Sequence, residues 1–204
     1  MSNQGIVASG HHLSSLAGAN VLNDGGNAFD AAIATSAVLS VVRPHMCGLG
    51  GDAFVLLHDS RSNRVEALNA SGPAPLSASC DFFLEKSLTV IPKEGICSVS
   101  VPGLVDCWAK ILEKHCRIPL GEILKPAIRY AKEGFPVYHK LSSAVSEATT
   151  KLTKSASSAK VFLGNGQPPE PGELLVQSNL AKTFETILAE GTRSLYEGSI
   201  ARAI

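Results

Sequence analysis

The sequence predicts a layered α+β fold, on three observations. The segment "AFDAAIATSAVLSVV" (residues 28–42) is apolar nearly all round, and a helix of that kind belongs in an interior, sandwiched between layers. "DAFVLLHDS" and "NRVEALNA" are strand-like runs joined by "SRSN", the pattern of a hairpin. Amphipathic helical runs follow; in "GLVDCWAKILEKHC", Leu104, Val105, Trp108, Ile111 and Leu112 make one apolar stripe.

Taken in chain order, "GIVASG" (5–10) reads as a short strand. "LSSLAGANVLNDGG" spaces Leu13, Leu16, Ala17, Val21 and Leu22 as a helix, with Gly25-Gly26 as the stop. Asn27 is placed to cap the buried helix, with Asp30 at its third position. The glycine loop "RPHMCGLGGDAF" then leads into the hairpin. "SGPAPLSAS" is a loop by composition. "SVSVPG" reads as a strand ending at Pro102, which opens the next helix. In "LGEILKPAIRYAKEGF", Pro126 predicts a kink or a second helix start, and Gly134 marks the end. Residues 140–160 read as an exposed helix or loose connection, "GNGQPPEPGE" as an extended loop, and "LAKTFETILAEG" as a final helix closed by Gly191. A further helix begins in "LYEGSIARAI" and stops uncapped, so the chain is expected to be cut at Ile204.

Apolar residues make up 45% and charged residues 18% of the 204, a globular balance. Lys+Arg and Asp+Glu are 18 each, which leaves no basic excess for nucleic acid. The N-terminal "MSNQGIVASGHH" has no leader pattern, and no apolar run reaches the roughly 20 residues of a membrane span. A soluble, cytoplasmic protein is expected, with no membrane partner. Five cysteines without a CxxC pair suggest reduced thiols rather than a zinc site or disulfide framework.

Four candidate sites need weighing. "GLGGDAF" precedes a strand and lacks the Lys-Ser/Thr of a phosphate loop, so its glycines read as permitting positive φ and close approach in a helix-to-strand turn. A metal would need His45, Cys47 and Asp52 with help from His11, His12 or His58, without the HxxxH or HExxH spacing that makes such a set specific. Cys47 as a nucleophile would need a base, for which His45, His11 or His12 are the candidates. "NASGPAP" (69–75) follows a strand, where layered proteins often put binding groups; the alternative is a rigid proline turn.

Together, "GGNAFDAAIATSAVLSVVRPHMCGLGGDAF", "NASGPAP", "SVSVPGLVDCW", "LKPAIRYAKEGFPV" and "PGELLVQSNLAKTFETILAEGTRSLYEGSIARAI" resemble, in order, the large-subunit portion of the γ-glutamyltranspeptidase family. The "RPHxCGxGGDAF" loop looks closest to a branch of glutathione-hydrolase-like and oxamate-hydrolase-like enzymes. The resemblance implies an αββα N-terminal-nucleophile hydrolase sandwich, residues 1–204 forming the large-subunit portion of one domain. It also implies a precursor that cuts itself before a threonine, which then attacks a γ-glutamyl amide such as glutathione and passes the acyl group to water or an amine. The partner so implied is the C-terminal small-subunit segment of the same precursor; no cofactor and no metal is implied.

Two departures qualify this. No threonine of the chain matches the nucleophile, Thr149-Thr150 included, so no catalytic residue is assigned here. The family usually carries an arginine in the loop matching "NASGPAP", as GSGRAP or RETAP, expected to clamp the substrate α-carboxylate. Here Pro73 stands in its place, with Ser71 beside it; these are the substrate-binding positions the resemblance picks out. Arg43, Arg61 and Arg64 are candidates to replace the guanidinium. A catalytically inactive homologue, or a related amidase with an oxamate-like or other acyl substrate, are the alternative readings.

Overall fold

The structure is a computed structural model describing Ser2, Asn3 and residues 5–204. Met1 and Gln4, part of the stretch read for a leader, lie outside the described residues. Helices and strands follow in the order α1 (His12–Asn23), α2 (Ala28–Val42), β1 (Ala53–Asp59), β2 (Arg64–Ala70), α3 (Cys80–Glu85) and α4 (Leu104–His115). Then come α5 (Leu120–Glu133), β3 (Phe135–Pro136), α6 (His139–Glu147), α7 (Thr149–Leu152), α8 (Ala156–Phe162), β4 (Leu174–Leu175), α9 (Ser178–Glu190), α10 (Ser194–Glu197) and α11 (Ser199–Ala203). They form two compact units, one holding residues up to Gly48 together with Ala109–Ile204, the other Leu49–Trp108.

The first unit is built on α2. Ala34, Ala37, Val38, Val41 and Val42 are wholly buried, and α2 packs against both α1 and α5, with α5 in turn against α9. Its start is fixed by a capping box. Asn27 Oδ1 accepts from the Phe29 and Asp30 amides at 2.8 and 3.1 Å, and Asp30 Oδ2 accepts the Asn27 amide at 2.7 Å. The same two side chains hold the far end of α4. Asn27 Nδ2 donates to His115 O at 2.7 Å, and Asp30 Oδ1 accepts the Arg117 and Ile118 amides at 3.0 and 3.4 Å. Burial, followed by the adjacent Asp30, pushes the Cys116 thiol up to about 12, so it stays protonated. The other end of α2 is pinned by Gln177, whose Nε2 donates to Val41 O at 2.8 Å.

In the second unit β1 and β2 form an antiparallel hairpin in register from Ala53↔Ala70 to Asp59↔Arg64. Because side chains alternate, Leu57 is buried on one face while Phe54, Leu56 and Val65 stand 75%, 76% and 65% exposed on the other. An apolar face of that kind rarely stays bare in a stable monomer. Expressed by itself, the 204-residue chain is therefore expected to aggregate or pack loosely; a monodisperse monomer with a sharp thermal transition in scattering and calorimetry would contradict this.

The α2 bounds and cap, the hairpin, α4, α9 and the end of α5 at Gly134 match the sequence expectation. Others need correction. Residues 5–10 form no strand, because no neighbouring strand in the described chain pairs with them. "SVSVPG" forms no strand: its first residue, Ser98, closes a 3₁₀ turn that begins at Ile96, and the rest is unladdered chain. Pro126 starts no second helix; α5 runs through it, and the carbonyl it leaves without an amide partner is that of Glu122. Among the described residues no helix is long and apolar enough to cross a membrane.

Candidate functional site

The loop that leaves β2 is fastened on both sides by backbone. Ser71 N–H folds back onto Asn69 Oδ1 at 2.9 Å, and Pro73 O accepts the Val101 amide at 3.0 Å. The strand end presses so closely on the chain before α4 that side chains are excluded. A Cβ on Gly72 would overlap Val101 O and lie 2.6 Å from its carbonyl carbon; one on Gly103 would overlap Ala70 O. The glycine loop contributes through Gly51, whose carbonyl accepts the Gly103 and Leu104 amides at 3.0 Å each and so satisfies the start of α4. Gly48 and Gly50, by contrast, keep negative φ and would accept a Cβ without contact within 4 Å. The freedom expected of them is not needed here.

Ser71 and Pro73 are exposed on this rigid strip. The charged group bonded to it is anionic: Asp52 Oδ1 accepts the Gly72 amide at 3.4 Å and the Ser100 hydroxyl at 3.5 Å, both long bonds. The sequence raised Asp52 only as a metal ligand; its contact with the loop joins residues 20 and 48 apart in the chain, which no local pattern signals. Arg61 and Arg64 do not replace an arginine here. Arg64 pairs with Asp59 at the turn end of the hairpin, six residues from Ala70, or about 20 Å along the strand, and Arg61 lies in the turn beyond it. Arg43 belongs to the other unit.

The remaining candidates lie in the first unit. Both ring nitrogens of His45 and Nε2 of His11 are buried without a hydrogen-bond partner, and His11 Nδ1 accepts the Leu13 amide at 3.2 Å. Neither ring therefore holds the Cys47 thiol, and the histidine–cysteine pair a nucleophile needs is not formed. Burial, then the charges of His12 and Arg43, lower His11 to about 4, which keeps it neutral at physiological pH. Among the described residues no group of three His, Cys, Asp or Glu side chains gathers to hold a metal. Thr149 spends its hydroxyl on the helical carbonyls of Val145 and Ser146 at 3.1 and 2.8 Å, as a structural threonine does.

A family model described as gamma-glutamyltranspeptidase matches residues 14–204. The chain belongs to the γ-glutamyltranspeptidase family. Within it, the glutathione hydrolase-like YwrD proenzyme of Bacillus subtilis is 40% identical over 200 residues, covering 98% of this chain and 38% of that protein. The acylase ACY 1 proenzyme of a Pseudomonas strain, V22, is 35% identical over 212 residues, with the same 98% and 38% coverage. The crystal structure of Helicobacter pylori γ-glutamyltranspeptidase matches with a TM-score of 0.94 at 32% identity, covering 100% of this chain and 59% of that one. The chain thus spans under two fifths of the length of these two curated γ-glutamyltranspeptidase relatives. Its α+β fold is part of the αββα N-terminal-nucleophile sandwich that the family shares.

Proposed function

We propose that this chain is the large-subunit part of a precursor that cleaves amides by acyl transfer, and that its acyl site favours groups without a free α-carboxylate. The observation that carries this is the loop after β2: exposed Ser71 and Pro73 on backbone packed closely against Val101, with the Asp52 carboxylate bonded beside them. Counted back from Ala74-Pro75, GSGRAP places the family's arginine on Pro73 and RETAP places it on Ser71. Neither residue is cationic. A γ-glutamyl carboxylate arriving at this loop meets Asp52, a like charge, where a guanidinium would pair with it. A neutral or amine-bearing acyl group meets no such repulsion. That relatives of similar identity are named glutathione hydrolases and acylases fits a scaffold whose acyl preference changes with this loop.

The threonine nucleophile lies, on this reading, in the segment that follows this chain in the precursor. That segment would cover the Phe54, Leu56 and Val65 face and the groove of about 660 Å³ that runs between Ile6, Val7 and the Ala31, Thr35 and Leu39 side of α2.

The test uses the full-length processed protein and two anilides, one γ-glutamyl and one an acyl group lacking the carboxylate. The second is expected to turn over faster. Pro73→Arg or Ser71→Arg is expected to raise kcat/KM on the γ-glutamyl anilide by about tenfold, the scale of one restored charge-assisted bidentate contact. Efficient glutathione cleavage by the unmodified protein would overturn the specificity reading. Cleavage of neither anilide, before or after restoring arginine, would favour an inactive homologue.

A further inference from the structure

In the unit built on α2, the cations Arg43 and Lys140 gather with three histidines and a tyrosine, and among the described residues no Asp or Glu pairs with them. Arg43 ends α2, His11 and His12 open α1, His45 follows Arg43 by two residues, and Tyr138 and Lys140 stand at the start of α6. Arg43, His11, His12 and Tyr138 adjoin one another. The Arg43 guanidinium lies against Gly10, where a Cβ would overlap Nη1 and stand 3.0 Å from Cζ. The His11 ring stacks on His12 at 4.4 Å and packs on Tyr138 at 4.8 Å. Arg43 acts electrostatically on His11, His45 and Tyr138, Lys140 acts on His45, and Cys47 acts on Tyr138; no Asp or Glu acts on any of the three.

The cluster also holds polar atoms with nothing to bond. His11 is only 7% exposed, and because its Nδ1 accepts the Leu13 amide, the proton of the neutral ring sits on Nε2, which has no partner. Both nitrogens of His45 are buried and unpartnered as well, and the buried Tyr138 hydroxyl has only the Arg43 side chain to bond with. Native structures rarely leave such donors orphaned. Both α1 and α6 begin without an acidic residue in the first turn, where the helix dipole favours a negative charge. Unpaired donors, a half-buried guanidinium and two helix starts without an acidic residue all lack the same thing.

We propose that Arg43, His11, His45 and Tyr138 form a receptor for one oxyanion of carboxylate or phosphate type. The guanidinium supplies the charged fork; His11 Nε2–H, a His45 nitrogen and the Tyr138 hydroxyl supply the remaining donors. Lys140, exposed at the rim, adds charge without packing. Two sources carry this chemistry: a free anion, or a carboxylate side chain from the rest of the precursor. Empty, the site keeps His11 neutral down to about 4; an anion offsets the neighbouring cations and lets the ring take up a proton. Binding therefore tightens as pH falls below neutrality. The proposal stands apart from the acyl specificity suggested above.

The test titrates inorganic phosphate into the full-length protein at fixed ionic strength, reading the thermal midpoint, proton uptake by calorimetry in two buffers, and the His11 titration by NMR. A free-anion site predicts a rising midpoint, proton uptake and a His11 titration moved up by more than about one unit. Arg43→Gln should then weaken phosphate binding about tenfold, and Lys140→Gln about twofold. If the precursor supplies the carboxylate, phosphate changes nothing, His11 titrates near or above its ordinary value without added anion, and Lys140→Gln lowers that titration. Should Arg43→Gln fail to fold, the Lys140→Gln result decides alone. The proposal fails if phosphate has no effect while His11 stays neutral to about 4. It fails equally if phosphate binds both variants as it binds the parent.

Discussion

Replacing Asp30 with alanine is expected to destabilise the full-length protein by about 3–5 kcal/mol, the loss of one helix cap together with orphaned buried amides. Asp30 is fully buried and accepts from three backbone amides, those of Asn27, Arg117 and Ile118. Alanine removes every acceptor and lets in no water to replace them. Asp30→Asn keeps the shape and one carbonyl oxygen but turns the other atom into a donor facing donors, so roughly half the loss should persist. Asn27→Ala should cost less, about 1–2 kcal/mol, and the double variant should fall short of the sum, because each side chain bonds the other's backbone. Urea midpoints of the four proteins measure this; additive losses, or an Asp30→Ala loss under about 1 kcal/mol, would show that the clamp is redundant.

The second large effect belongs to Gly72. Gly72→Ala places a methyl on the Val101 carbonyl, and since the obstacle is backbone, no rotamer change relieves it. Either the strip carrying Ser71 and Pro73 lifts off, breaking the Val101–Pro73 hydrogen bond, or the chain leading into α4 moves. On the proposal that this loop positions substrate, a displacement of about 1 Å can cost on the order of a hundredfold in rate. Gly72→Ala in the full-length protein is therefore expected to lose most of its activity while precursor cleavage, if it depends only on the segment beyond, continues. Gly48→Ala serves as the control: its Cβ meets nothing, and activity should hold. Equal losses in both would mean that the close approach at Gly72 is not what fixes the site.

That contrast between glycines marks where sequence reading succeeds. Asn27 and Asp30 lie three residues apart, so their capping box is a local pattern, and the start and end of α2 could be read directly. The crowding at Gly72 and Gly103 is not local. It arises from segments some thirty residues apart meeting backbone to backbone, and nothing in "SGPAP" or "SVSVPG" distinguishes these glycines from Gly48 or Gly50. Strands suffer in the same way. "GIVASG" has the composition of a strand, but a strand exists only where a partner pairs with it, whereas β3 and β4 pair over two residues each across a wide gap and carry no composition signal. Cys80–Glu85 follows directly on the loop "SGPAPLSAS", whose last residue, Ser79, accepts the Phe82 amide at 3.1 Å and caps the helix. At the candidate site, Ser71 and Pro73 are positions that only the resemblance picks out, while Asp52 becomes their neighbour through folding.

The bond from Gln177 to Val41 closes a separation of 136 residues, and the second unit lies wholly within that span. On a ribosome adding about 5–20 residues per second, α2 emerges roughly ten seconds before the glutamine that pins its last turn. For most of that interval the most apolar helix of the molecule has neither α5 nor Gln177 to cover it, and α5 arrives before the glutamine does, while the hairpin, made of near-neighbour contacts, can already close. The architecture therefore makes synthesis itself the vulnerable stage: long-range closure comes late, and the nascent α2 is the segment a holding chaperone would be expected to grip.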